Sequence, residues 1–425
     1  MNNVNVSSAK KNVLIVGSGA REHALAWKLE SSPQVGRIFV SPGNDGMPDS
    51  WTRLEATDFE ALAKLALEEK IDLTVVGPDN ALAEGIVDLF SHEGLLCFGP
   101  MRDAAQIESS KALSKEIMKA AKVPTAEFHV AHSLNDAIDS LKSPAFKNGC
   151  VVKADGLALG KGVRVCANRE EAVTAITELI KINGKLVIEE KLHGAELSWM
   201  AFCDGERCAL LEPARDYKRL SDADLGPNTG GMGAFSPVAG IPKSYFEKIR
   251  REVFLPTLQE LANRGMPFRG ILYAGLMVSP NYDKYWVLEF NARFGDPETQ
   301  VLMPRLAGDL YEWLEASALG DLRGLPSVVP FSEDCAVYIV GASSGYPEKP
   351  VKGDLIEGLA GAESGSYFYA GVKKEEAHLK TSGGRVLGAL GVGASLALAR
   401  DKAYAKIRRV RWNGMQFRND IGMIL

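Results

Sequence analysis

The sequence predicts an α/β and α+β multidomain fold, with an N-terminal doubly wound parallel sheet, a central unit carrying a small subdomain, and a C-terminal α+β unit. Three observations carry this. Residues 12–100 alternate short apolar runs with helical patterns at βαβ spacing. Residues 124–193 gather short strands and helices around a glycine turn. Past the GLPSVVP segment at 324–330, fresh β-runs begin and lead into a helix. A length of 425 residues fits about three domains, and a chain that long buries a core without disulfides or structural metals.

The elements follow in order. Residues 1–11 are polar and read as a frayed tail, not a signal peptide. NVLIVG (12–17) is a buried strand, and a helix spans about 22–30. RIFVSPG (37–43) is the second strand, and apolar positions 59, 62, 65 and 66 mark a helix over 59–70. IDLTVVGP (71–78) is the third strand, 83–92 a helix and LLCFGP (95–100) the fourth strand. Their glycine ends place ligand-facing turns at the carboxyl edge, where open α/β sheets bind ligands. Residues 101–123 are helical. The small subdomain reads strand 127–131, helix 134–142, strand 150–155, strand 163–167, helix 170–181 and strand 185–192. Longer strands lie within 197–205, 271–279 and 285–294, with a helix over 243–263. The last unit carries strands 335–343, 366–371 and 383–393 and a helix over 395–410.

Composition narrows the function classes. Apolar residues make 46% and charged residues 24% of the chain, which excludes intrinsic disorder. A net charge of −5 gives no global attraction to nucleic acid or an anionic membrane, while leaving room for a local phosphate pocket. No apolar run reaches the roughly 18 residues of a membrane span. The six cysteines form no CxxC pair and read as free thiols in a reducing cytoplasm.

Four segments carry chemistry. GSGAREH (17–23) joins a strand to a helix N-terminus and suits an anion, through Gly17, Ser18 and Gly19. Glu22 stands where the dinucleotide fingerprint needs glycine, and the second strand ends in Ser41, Pro42 and Gly43 without a ribose-binding acid. A nicotinamide-dependent oxidoreductase is therefore disfavoured. In KADGLALGKGV (153–163), Lys153, Lys161 and the glycines 156, 160 and 162 suit a hairpin folding over a polyphosphate. VIEEKLHGAELS (187–198) ends a strand with two carboxylates and carries a third, Glu196, soon after; its strand-end backbone followed by an apolar Leu192 suits an adenine edge, and a carboxylate there suits ribose hydroxyls. In VLEFNARFGDPETQ (287–300), Glu289 and Asn291 lie two apart on a strand and share a face, as hard oxygen ligands for Mg²⁺ would. Arg293 is expected on that face as a bidentate anion holder. The long glycine-rich stretch 213–237, with Asp216, Lys218 and Arg219, reads as functional or mobile. No Ser/His/Asp or Cys/His arrangement is recoverable.

The order of a lysine-bearing glycine hairpin, EE-x-L-x-G-x-E and E-x-N-x-R resembles the ATP-grasp superfamily. With GSGAREHAL, VGP, FGP, AQIESSK, PTAEF, VKADGLALGKGV, GPNTGGMGAFSP, LYAGLM and EFNARFGDPETQ, residues 12–422 resemble the phosphoribosylamine–glycine ligase family. The resemblance implies a central ATP-grasp fold with a lid, and domains at 12–103, 104–323 (lid about 124–193) and 324–425. It implies ligation of glycine to 5-phosphoribosylamine through glycyl phosphate, with ATP as cosubstrate and Mg²⁺ or Mn²⁺. Lys111 and Lys153 would contact ATP phosphates, with Gly160 and Gly162 in the lid hairpin. Glu189, Glu190 and Leu192 would face adenine, and Glu196 ribose. Glu289 and Asn291 would hold the metal. Arg293, Asp296, Asp216 and Lys218 would lie near the reacting groups. Gly17, Ser18, Gly19, Pro42, Gly43 and Asn44 would hold phosphoribosylamine. No nucleic acid or membrane partner is expected, and monomer or homodimer both fit. Departures from the family pattern are Arg215 and Tyr217 in QDHKR, Asp79 in GPE, Ala292 for cysteine, and a shorter stretch before strand 185.

Overall fold

The computed structural model describes residues 10–157 and 162–423. The N-terminal sheet is parallel throughout, in the order β3-β2-β1-β4-β5. Its strands are β1 (Lys11–Gly17), β2 (Val35–Pro42), β3 (Thr52–Arg53), β4 (Leu73–Val76) and β5 (Cys97–Phe98). Alternation decides which side each residue fills: Val13 and Ile15 enter one apolar cluster, Leu14 and Val16 another. The short β3 escaped the sequence reading because two residues carry no periodicity. Lys11 already belongs to β1 and bonds through its N–H to the Gln34 carbonyl, which corrects the tail expected to run to residue 11. Residues 1–9 lie outside the described residues.

The expected helix over 83–92 is two helices, Asp79–Glu84 and Ile86–His92, broken at Gly85 in the left-handed region. The helical stretch 101–123 is likewise two helices, Arg102–Ser109 and Lys111–Ala120. Ser110 separates them, and its hydroxyl caps the second by accepting the Leu113 N–H.

The small subdomain is an antiparallel sheet in the order β6-β9-β7-β8. It comprises β6 (Phe128–Ala131), β7 (Cys150–Ala154), β8 (Val163–Cys166) and β9 (Leu186–Glu190), with its own apolar core against helix Arg169–Asn183. That helix ends at Gly184 in the left-handed region and passes almost directly into β9, which is the geometry of the shortened stretch.

The central sheet begins with β10 (Ala195–Asp204) and β11 (Cys208–Leu210). The glycine-rich stretch supplies four short strands, β12 (Arg215–Asp216), β13 (Arg219–Ser221), β14 (Leu225–Asn228) and β15 (Gly233–Ser236). Next come β16 (Arg269–Val278) and β17 (Tyr285–Asn291), completing the central antiparallel order β11-β10-β16-β17. Leu197, Trp199, Ala201 and Cys203 face one apolar cluster, Met200 and Phe202 the other.

The C-terminal unit adds β18 (Cys335–Ala342), β19 (Tyr367–Tyr369), a hairpin of β20 (Val372–Glu375) and β21 (His378–Thr381), and β22 (Arg385–Gly393). Its main sheet runs β12-β15-β18-β22-β19, so two strands come from the 213–237 stretch and the sheet is not bounded at residue 324. All six cysteines are free. Among the described residues no helix is long and apolar enough to cross a membrane.

Candidate active site

Three lysines converge where the lid sheet meets the central sheet. Lys115 and Glu189, each 2% exposed at the side chain, pair at 3.0 Å, and Lys153 pairs with the other Glu189 oxygen at 2.7 Å. Lys153 also donates to the Leu288 carbonyl on β17 (3.2 Å), and Lys115 donates to the Thr125 hydroxyl (2.7 Å), which donates to the Val287 carbonyl (2.6 Å). Lys111 donates to the Gly156 carbonyl at the root of the glycine hairpin (2.7 Å). Asp155, at the same root, accepts the Ala112 N–H (3.1 Å). Burial pushes the Lys115 ammonium down to about 8, with Glu189 partly restoring it. Burial also lowers Lys111, against the carboxylate of Glu289.

This geometry reassigns Glu189. Its carboxylate is spent on two lysines inside the protein and does not reach out to a base. Glu190 and Leu192 remain at the half-buried end of β9. Gly162 closes the hairpin through its carbonyl, which accepts the Ala154 N–H at 2.8 Å. Gly160 and Lys161 lie outside the described residues.

A second cluster faces this one across β10, β16 and β17. Lys218 pairs with Glu196 at 2.9 Å. Burial opposes its charge, but Glu196, Asp216 and Glu289 together hold it well above the usual lysine range. Glu289 shows the converse: burial raises it, and Lys218, Lys153, Lys111 and Arg293 outweigh that, so the carboxylate stays ionised. Glu298 accepts from the Ser198 hydroxyl (2.7 Å) and the Tyr273 hydroxyl (2.6 Å). Burial pushes Asp216 up to about 7, with Lys218 pulling down and Glu298 and Glu196 pushing up.

Glu289 and Asn291 pair with Gly275 and Tyr273 on β16 and share one face, despite a bulge next to Leu276. Their donor set fits Mg²⁺. The carboxylate is held ionised, and both donors are hard oxygens. Among the described residues no group of three or more His, Cys, Asp or Glu could enclose a metal unaided. An ion at this pair would thus complete its shell with water and phosphate oxygens, as Mg²⁺ usually does.

Arg293 departs from expectation. Strand β17 ends at Asn291, and the guanidinium pairs with Glu108 (2.9 Å) and donates to the Phe294 carbonyl (3.2 Å). Both terminal nitrogens are thus engaged by the protein. Its Nε is buried without a partner. Glu108 also accepts the Ala292 N–H (2.7 Å), so the end of β17 is pinned to helix Arg102–Ser109. Asp296 is likewise committed, to Arg385 (2.5 Å) and to the Gln300 amide (2.7 Å).

The N-terminal turn opens on a cavity of 640 Å³ lined by Ser18, Gly19, Pro42, Gly43 and Asn44 on one wall and by Gly371, Ser382 and Gly383 on the other. Gly17 is not in that lining; it and Gly77 make room for Glu22, whose carboxylate accepts the Gly19 N–H (2.7 Å) and pairs with Arg21 (2.6 Å). The expected anion seat at this helix N-terminus is therefore filled by the protein's own carboxylate. Asn44 serves as a strut: its amide donates to the Ser18 carbonyl (2.8 Å) and the Tyr369 carbonyl (2.9 Å), and its oxygen accepts the Gly46 N–H (2.9 Å). His23, buried beside Trp51, Phe368 and Tyr369, accepts the Tyr369 N–H (3.2 Å); burial pushes it down to about 3, so it is a neutral joint and not a ligand. Tyr217 turns away from the site into the C-terminal core, where its hydroxyl accepts the Gly422 N–H (3.0 Å) and Arg418 stacks on its ring.

Sequence reasoning missed Lys115, Glu108 and Arg385. Lys115 had a usable signal, since it lies four residues after Lys111 on a helix and so shares its face. Arg385 had none, because nothing local marks its contact with Asp296.

Models described as the N domain, the ATP-grasp (A) domain and the C domain of phosphoribosylglycinamide synthetase match residues 11–108, 109–299 and 336–424. A phosphoribosylamine–glycine ligase of Rhodopirellula baltica is 41% identical over 428 residues, covering 97% of each chain. The crystal structure of the phosphoribosylamine–glycine ligase of Thermotoga maritima, 35% identical, superposes with a TM-score of 0.84 over 96% of this chain and 99% of that one. The biotin carboxylase domain of a Hydrogenobacter thermophilus 2-oxoglutarate carboxylase, 17% identical, gives 0.70 over 96% and 91%, a likeness of fold alone. The chain belongs to the phosphoribosylglycinamide synthetase family, ATP-grasp ligases whose reaction is the ATP-dependent joining of glycine to phosphoribosylamine in the second step of purine biosynthesis.

Proposed function

We propose that this chain joins glycine to 5-phosphoribosylamine, giving glycinamide ribonucleotide, ADP and phosphate. The glycine carboxylate attacks the γ-phosphate of ATP, and the amine then displaces phosphate from the glycyl phosphate. Such chemistry asks for positioning and charge neutralisation, with no covalent enzyme nucleophile. The observation that carries the reading is the approach of Lys111, Lys153 and Lys218 to one ionised carboxylate, Glu289, which they hold below the usual range.

Lys111 and Lys153 neutralise ATP phosphates beside the root of the glycine-rich segment at Gly156 and Gly162. The end of β9, with Glu190 and Leu192, receives the base, and Glu196 the ribose. Glu189 sets the direction of Lys153. Glu289 and Asn291 hold Mg²⁺ or Mn²⁺, which supplies charge neutralisation to the phosphate oxygens. Asp216 and Lys218 lie beside the reacting carboxyl, while Arg293 and Asp296 brace that wall. The 640 Å³ cavity takes phosphoribosylamine between Ser18–Gly19, Pro42–Gly43 and the C-terminal wall. We assign residues 12–103 to an amine-binding domain, 104–323 to the ATP-grasp domain with its lid over 124–193, and 324–425 to a C-terminal domain. The chain works on small molecules in the cytoplasm without nucleic acid or membrane, as a monomer or homodimer.

The purified chain with ATP, Mg²⁺, glycine and phosphoribosylamine is expected to release ADP in step with amide. Glu289→Gln should abolish metal-dependent turnover with the far-ultraviolet dichroism unchanged. ADP release that ignores glycine would refute the ligase reading, and full turnover in Glu289→Gln would refute the metal assignment.

A further inference from the structure

Two halves of the reaction occupy different walls. The phosphoryl chemistry belongs to the central sheet, and the cavity for the amine is walled partly by Gly371, Ser382 and Gly383 of the C-terminal unit. For the amine to attack the acyl phosphate, the reacting atoms must come within about 3–3.5 Å, so the walls need a fixed relation.

Arg385 spans them. Its backbone carbonyl accepts the Gly371 N–H (3.0 Å), and it follows Gly383 by two residues in β22. Gly371 and Gly383 touch so closely that a Cβ on Gly371 would stand 2.7 Å from the Gly383 Cα. At its other end the guanidinium pairs with the Asp296 carboxylate (2.5 Å), donates to the Asp296 carbonyl (3.2 Å) and donates to the Gly230 carbonyl (2.6 Å). Gly230 in turn donates its N–H to the Tyr346 hydroxyl (2.9 Å), and the adjacent Thr229 bonds through its N–H (2.7 Å) and hydroxyl (2.8 Å) to the carbonyl of Lys218. The chain of contacts thus runs from the cavity wall through Arg385 to the backbone that carries Lys218. The planar fork reaches three acceptors at once, which a lysine ammonium on its single point cannot reproduce in one plane.

We propose that Arg385 is a positioning residue that couples the amine cavity to the acyl-phosphate site, acting through Asp296 and the Gly230 turn. This rests on the cavity being the phosphoribosylamine site. Its loss leaves phosphoryl transfer to glycine running and lets the acyl phosphate fall to water before the amine arrives.

The test compares amide formed with ADP released, in wild type, Arg385→Met, Arg385→Lys and Ser18→Phe. Arg385→Met should form less amide than ADP and raise the KM for phosphoribosylamine by about tenfold or more, the scale of a lost charge-assisted hydrogen bond, with the KM for ATP unchanged. Arg385→Lys should recover the KM in part but not the coupling. If Arg385→Met folds poorly, Tyr346→Phe removes one support of the same turn and should show the same uncoupling more weakly. Coupled turnover in both Arg385→Met and Tyr346→Phe would overturn the proposal. Ser18→Phe fills the cavity mouth and tests the reading beneath it. An unchanged phosphoribosylamine KM in Ser18→Phe would remove the cavity assignment, whereas a raised KM there with coupled turnover in the Arg385 variants would reject only the positioning role.

Discussion

Replacing Lys115 by Met removes a buried ammonium without orphaning a carboxylate, because Glu189 keeps Lys153 at 2.7 Å. The Thr125 hydroxyl likewise keeps its bond to Val287. In the folded chain burial lowers Lys115 from 10.5 to about 8 even with Glu189 beside it. That shift corresponds to about 3 kcal/mol against the charged form. Between pH 8 and 10.5 the unfolded chain binds the proton that the native chain has lost, so this lysine makes stability rise with pH across that window. Below it, both states are protonated and the cost is carried in full. Tyrosines and thiols raised by burial, such as Tyr245 at about 12, act in the opposite sense, but equally in both proteins. Urea unfolding at a series of pH values reads the difference. Wild type minus Lys115→Met should climb by about 3 kcal/mol from pH 8 to 10.5. Parallel pH profiles would refute the reasoning. The same variant should raise the KM for ATP and leave that for glycine alone, since Lys115 acts on Lys153 through Glu189.

Asp216, raised from 3.8 to about 7 by burial and then by Glu298 and Glu196 against Lys218, binds its proton more tightly when folded. Its contribution to stability is full below pH 3.8 and is lost as pH rises toward 7; Asp216→Asn should flatten unfolding profiles between those limits and remove an acidic limb near 7 from kcat/KM. Glu22→Gln leaves buried Arg21 without its carboxylate partner, and should cost about 3 kcal/mol in unfolding experiments. It should also weaken phosphoribosylamine binding through the Ser18–Gly19 wall; unchanged melting would show that Arg21 is satisfied by its bond to the Phe294 carbonyl (3.1 Å).

The glycine-rich segment after Lys153 and the shared face of Glu289 and Asn291 could be read from residues alone because their spacing is local. Lys153 and its glycines fall within ten residues of one another, and Glu289 and Asn291 are set on one face by strand alternation. The scatter of the cysteines did the same for the free thiols. Local spacing failed where an atom's capacity is used by a distant partner. Arg293 is expected to hold an anion, yet Glu108 pairs with one of its terminal nitrogens; Glu189 is expected at adenine, yet Lys115 and Lys153 enclose it. Asn44 looked like a substrate ligand, and a carbonyl 325 residues away consumes its amide.

Periodicity along the chain tells which face of an element is buried, and so the multidomain α/β architecture is legible in the residues alone. Which buried group meets which is a matter of tertiary contact, as in the bond from Arg385 to Asp296 across 89 residues. That pairing, the cavity wall given by the C-terminal unit and the division of labour among the lysines arise only when the sheets pack. Hydrophobic burial is non-directional and selects faces, whereas ion pairs and hydrogen bonds select partners by distance and angle that no linear spacing encodes.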